Sequence, residues 1–294
     1  MKKYFFLFLI SIPFFQLQAQ ELNKEITDEG NPFLLGKIDK SGLTSDNYNQ
    51  WFSENYDNYQ VDKSIINDLK TTLNNFTITV FMGTWCGDSK REVPRFYKIL
   101  EASNFPMHQL TVIALSSKPY MYKQSPRHYE AGLNIHRVPT FIFYKNGKEI
   151  NRIVEHPVES LEKDMLNITT SNDYESNYQI VTQINTILKN DGLNGLKKQS
   201  KKLVKEFKNK VSSMFELNTY GRVLFSKNQK EAAIEVFKIN NLLFEEEPRT
   251  YMSLANTLGV LNYKKEAIKV LENANKRFPE NTDLKENLKI IESY

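Results

Sequence analysis

An α/β domain followed by an all-helical region is the fold class this 294-residue chain predicts. Three observations carry it. Between residues 76 and 166 the apolar pattern reads β-α-β, then a β-hairpin, then α. Around Thr169 to Glu175 the composition turns polar, and beyond it every apolar pattern has helical spacing. Finally, Ala233-Ile-Glu-Val-Phe237 matches Ala267-Ile-Lys-Val-Leu271 at a shift of 34 residues.

The elements follow in order. Lys2-Lys3, an apolar run from Tyr4 to Phe15 and Leu17-Gln18-Ala19 read as a secretory signal peptide over residues 1–19. The run is about 12 residues, too short to span a bilayer. Export implies the periplasm in a Gram-negative cell and secretion otherwise. Residues 20–171 then form the α/β domain, with its core at 74–168 behind an N-terminal extension. In that extension Tyr48, Phe52, Tyr56 and Tyr59 recur at helical spacing, and Val61-Asp62-Lys63-Ser64 opens a helix carrying Ile65, Ile66 and Leu69. Phe76–Met82 alternates and is β-branched, which predicts a strand ending at Gly83. Ser89–Ala102 has helical periodicity. Leu110–Leu115 is a buried strand. Residues 116–132, with Pro119 and Pro126, form a loop with a short helix. Pro139–Tyr144 and Glu149–Glu155 are strands joined at Asn146-Gly147, a strong hairpin signal. Glu159–Leu166 closes the domain.

Residues 172–294 form the all-α domain. Tyr178, Val181, Ile184 and Leu188 mark a helix stopped at Asn190-Asp191-Gly192, and Leu196, Leu203, Phe207 and Val211 mark another. The 34-residue shift also pairs Leu224 with Leu258, Asn228 with Asn262 and Lys230 with Lys264. Small residues at 221, 233, 255 and 267 let paired helices approach, and large ones between them fill the gaps. This pattern, over residues 214–294, resembles tetratricopeptide repeats, whose units must stack because one alone cannot bury its apolar face.

Composition excludes several function classes. The net charge is +4, and Lys2 and Lys3 supply two of it, too little to argue for nucleic acid. Residues 197–210 hold seven lysines and one glutamate interleaved with Leu203, Val204 and Phe207. This is a solvated helix face more readily than a membrane surface. His108, His128, His136 and His156 show no metal-ligand spacing with one another or with the single cysteine. No Gly-Xaa-Ser-Xaa-Gly elbow or phosphate loop is present, so no metal or cofactor is expected.

That leaves Cys86, in Thr84-Trp85-Cys86-Gly87-Asp88-Ser89. It falls between a strand and a helix, where unpaired amides and the positive helix end favour a thiolate. Lys90 and Arg91 add positive charge; Asp88 opposes them. Pro94 lies eight residues after Cys86, and Val138-Pro139-Thr140 is followed by Lys145-Asn146-Gly147. Together these residues resemble the thioredoxin family at matching spacing. The resemblance implies Cys86 as nucleophile and a cis-proline at 139, with the Val138 backbone open to pair with an extended substrate. It also implies substrate contacts from Trp85, Gly87, Asp88 and Thr140.

Two departures narrow the chemistry. Ser89 stands where the family has its second, resolving cysteine, and is expected to hydrogen-bond the Cys86 sulfur. Val80 stands where the family usually buries an aspartate. A peroxiredoxin is excluded, since Gly83 occupies the position where that pattern needs Thr or Ser. The expectation is monothiol exchange with protein clients that carry disulfides or oxidised thiols, the helical repeats holding a protein partner. The alternative is a non-enzymatic scaffold with a remnant site.

Overall fold

The computed structural model describes residues 22–28, 30–171 and 173–293, so the expected signal peptide lies outside the described residues. An antiparallel hairpin, β1 (Glu25–Asp28) and β2 (Asn31–Leu34), leads into β3 (Gly36–Ile38). Three helices follow, α1 (Lys40–Leu43), α2 (Asn49–Asp57) and α3 (Lys63–Thr72). Asp62 caps α3 by accepting from the Ser64 and Ile65 amides. Then come β4 (Thr77–Met82), α4 (Gly87–Ala102), β5 (Leu110–Ala114), β6 (Thr140–Lys145), β7 (Lys148–Val154) and α5 (Leu161–Thr170).

The main sheet has five strands in the order β3-β5-β4-β6-β7. Only β4 and β5 run parallel, joined through α4; the other pairs are antiparallel. The sequence led us to expect four strands behind a purely helical extension. Instead β3 adds an edge strand, and Gly36, at φ +89°, turns the chain from the hairpin into the sheet. Three residues are too few to show alternation, which is why β3 left no periodic trace in the sequence.

Period-2 alternation sorts the sheet residues between two faces. Ile78, Val80 and Met82 of β4 join Val112, Phe141 and Phe143 in a core closed by Phe52, Leu69, Phe96 and Met165 of the helices. Phe81, Ile113 and Ile142 point the other way. They form a smaller cluster with Leu115, Ile135 and Val138, against which Trp85 and Cys86 pack. This second face is covered by the segment between β5 and β6. That segment includes a short 3-10 turn (Pro119–Met121) and is ordered by the buried Glu130 carboxylate. Glu130 accepts from the Ser125 amide at 3.0 Å and the Ser125 hydroxyl at 2.7 Å.

Among the described residues after 178, the elements are all helices: α6 (Gln179–Phe207), α7 (Phe215–Ser226), α8 (Lys230–Leu243), α9 (Pro248–Val260), α10 (Lys264–Arg277) and α11 (Thr282–Ser293). The stop read at Asn190-Asp191-Gly192 is real: α6 breaks at Gly192, with φ +64° and ψ −167°. Both ends of α8 recur 34 residues later in α10, and Asn228 and Asn262, in the corresponding turns, both take positive φ. These helices share one apolar core, separate from those of the sheet.

The two parts are docked. Gln124 Nε2 donates to the Ser226 carbonyl at 3.3 Å, and the Arg222 guanidinium lies 4.8 Å from the centre of the Tyr122 ring. Arg137 donates to the Phe215 carbonyl at 2.8 Å. The β5–β6 segment is therefore gripped by α7 from outside and by the sheet from within.

Candidate functional site

Cys86 caps α4. Its backbone is extended (φ −94°, ψ 127°), its amide donates to the Gly83 carbonyl, and its own carbonyl accepts from Lys90. No side chain satisfies the first amides of the helix, so the half-buried sulfur lies beside unpaired N–H groups and the positive end of a 16-residue helix. Such a helix terminus favours a nearby negative charge by roughly 0.3–1 kcal/mol. Gly87, the first helical residue, is exposed and leaves the approach to the sulfur open.

The Val138–Pro139 peptide bond is cis. It presents the Val138 carbonyl to Cys86, whose thiol donates to it at 3.2 Å. The Val138 amide finds no acceptor among the described residues. Its side chain is buried in the cluster under the sulfur, so only backbone is offered there. Thr140 is buried too, and its hydroxyl donates to the Arg137 carbonyl at 2.8 Å. It pins the loop rather than lining its rim.

Trp85 is half-buried. Its indole N–H donates to the Leu115 carbonyl at 2.8 Å, and its ring lies across Gly83. A Cβ at Gly83 would come within 2.5 Å of that ring, so the position must be glycine. Asp88 accepts from Arg91 at 2.8 Å, and Arg91 also reaches Glu92 at 2.6 Å. The positive charge expected from Arg91 is thus spent within its own helix.

Ser89 departs from expectation. It is fully buried, and its hydroxyl accepts from the Gly83 amide at 3.2 Å instead of bonding to Cys86. Rotated inward from the first turn of α4, it closes the strand-to-helix corner. Val80 packs in the main core, so no carboxylate lies beneath the sulfur there.

Sequence reasoning missed the cation of the site. Lys123, from the β5–β6 segment, is 4% exposed. Its ammonium sits 5.8 Å from the Trp85 ring centre and 5.4 Å from that of Tyr122. Burial pulls its pKa down to about 8, and Arg137 adds to that pull. No local pattern marks this residue; its one signal is a lysine inside a short turn between prolines. His136 and Arg137, which precede the cis-proline, join the two parts of the molecule. His136 is buried edge-on to Tyr178 and Tyr220, and Arg137 pairs with Glu155 at 2.9 Å.

A cysteine just past the end of a central strand, at the N-cap of the crossing helix and opposite a cis-proline, in a mixed sheet flanked by helices, defines a thioredoxin-like domain. Residues 41–167 match the family described as Thioredoxin, which supports that family for this part of the chain. No curated protein and no solved structure gave a significant match. Among the described residues no group of His, Cys, Asp or Glu could hold a metal ion. None of the described helices is long and apolar enough to cross a membrane.

Proposed function

We propose that this protein carries out monothiol thiol–disulfide exchange on exported protein clients. The observation that carries this reading is the half-exposed Cys86 sulfur, 3.2 Å from the carbonyl of the cis Val138–Pro139 peptide, at the start of a long helix. A client strand laid beside residue 138 would find an unpaired amide there and bring its sulfur to Cys86. The Cys86 thiolate attacks one sulfur of a client disulfide. A new S–S bond joins enzyme to client, and the second client sulfur leaves as thiolate. Ser89 cannot attack that mixed disulfide, so a thiol from the client or from solution must release it. This suits isomerisation, removal of small-thiol adducts or retention of clients. The tetratricopeptide-like helices beside the site would hold the client or a partner protein.

The test is trapping. Cells producing the wild-type chain, quenched with acid and alkylated, should show mixed disulfides with exported proteins that disappear on reduction and in Cys86→Ala. If the Cys86→Ala variant keeps both its partners and its phenotype, the protein is a scaffold and the exchange reading is wrong.

A further inference from the structure

We propose that Lys123 is the charge partner of the Cys86 thiolate, held over it by the docking of the helical region. The inference rests on the exchange reading of Cys86 and adds to it a residue from outside the cysteine motif.

Lys123 is a buried ammonium whose side chain makes no hydrogen bond or ion pair among the described residues. It lies instead over two aromatic faces, those of Trp85 and Tyr122. Burying an unpaired cation is costly, so such a group is kept where a counter-charge forms. Every carboxylate around the sulfur is already committed. On α4, Asp88 is paired to Arg91; at the end of β7, Glu155 is paired to Arg137 and also accepts from the Tyr178 hydroxyl. Lys90, also on α4, is half-buried. From α7, Arg222 is stacked on Tyr122. The one remaining anion that can arise in this corner is the Cys86 thiolate, for Cys86 follows Trp85, packs on the same apolar cluster, and the Trp85 ring is the one Lys123 overlies.

The fold enforces the placement. Lys123 takes φ +54°, its amide donates to the Ser116 carbonyl at 2.8 Å, and Ser116 donates back to the Gln124 carbonyl at 3.0 Å. The neighbouring Gln124 and Tyr122 are fastened to Ser226 and Arg222 of α7. The ammonium favours the thiolate before attack. It does so again when the mixed disulfide is resolved and Cys86 leaves as thiolate; its own proton stays in place throughout.

The experiment measures alkylation of Cys86 by iodoacetamide against pH in the full chain and in Lys123→Met and Lys123→Arg. We expect Lys123→Met to move the midpoint upward by about one pH unit and slow the reaction at pH 7 roughly three- to tenfold. Lys123→Arg should stay within about twofold of wild type, which a purely space-filling role would not predict. Superimposable profiles for wild type and Lys123→Met overturn the proposal. A reciprocal measurement needs no substitution at 123. Because coupling is mutual, the Lys123 amine, followed by NMR of the 13C-dimethylated protein, should titrate at lower pH in Cys86→Ala. An unchanged amine midpoint also overturns it. If clients are never trapped while both midpoints shift, the exchange reading fails and the charge pair stands. If clients are trapped and neither midpoint shifts, the pair fails alone.

Discussion

Ser89 replaces a sulfur and also closes a turn. Its hydroxyl is the acceptor for the buried Gly83 amide, at the corner where β4 becomes α4. Removing it leaves that amide without a partner, a loss of roughly 1–2 kcal/mol. Ser89→Ala should therefore lower the unfolding free energy from urea titration by that amount while leaving Cys86 alkylation at neutral pH as it was. A drop in alkylation with unchanged stability would mean the hydroxyl serves the thiol after all. At this scale the sequence showed where the cysteine falls, between strand and helix, and the cis-proline, because both sit in short local motifs. It did not show the direction of the Ser89 side chain, which depends on the rotation of the first helical turn. Nor did it show Lys123, whose burial requires the Trp85 ring, the Tyr122 ring and α7 to converge from three places in the chain.

Between elements, close approach decides what a position tolerates. Gly221 of α7 faces the Phe237 ring of α8, and a Cβ there would lie 2.7 Å from it. Phe237 is buried in the helical core and has little room to retreat. Gly221→Val should thus destabilise the helical region by about 1–3 kcal/mol, the usual cost of overpacking. A thermal melt followed by helical circular dichroism measures it, and an unshifted melt would show that α7 and α8 can separate freely. The small-residue positions of these hairpins were legible because helical spacing repeats them, and α8 and α10 have matching bounds at that repeat. The edge strand β3 was not legible. Its place comes from pairing with β5, a contact far away in sequence that three residues cannot announce.

Across the whole molecule, the cis-proline loop and the helices meet at His136. Its imidazole is buried between Tyr178 and Tyr220, its Nδ1 faces the Asn134 carbonyl at 3.3 Å, and its Nε2 has no partner among the described residues. Burial drives its pKa from 6.5 down to about 3, and the charges of Lys123, Arg137 and Arg152 push the same way. The folded protein therefore holds this ring neutral, while the unfolded chain protonates it near pH 6.5. A base whose folded-state pKa is depressed contributes stability above its unfolded value and loses it as the pH falls from there toward 3. The loss approaches about 1.4 kcal/mol per pH unit below 6.5. Between pH 7 and pH 5, wild type should lose about 2 kcal/mol more than His136→Phe, which keeps the edge-on ring contacts and carries no proton. Urea midpoints at the two pH values measure the difference. Parallel losses would place the proton elsewhere. Because the same loop carries Val138 and Pro139, mild acid should loosen the cis-proline loop together with the docking of the helices, before either part unfolds.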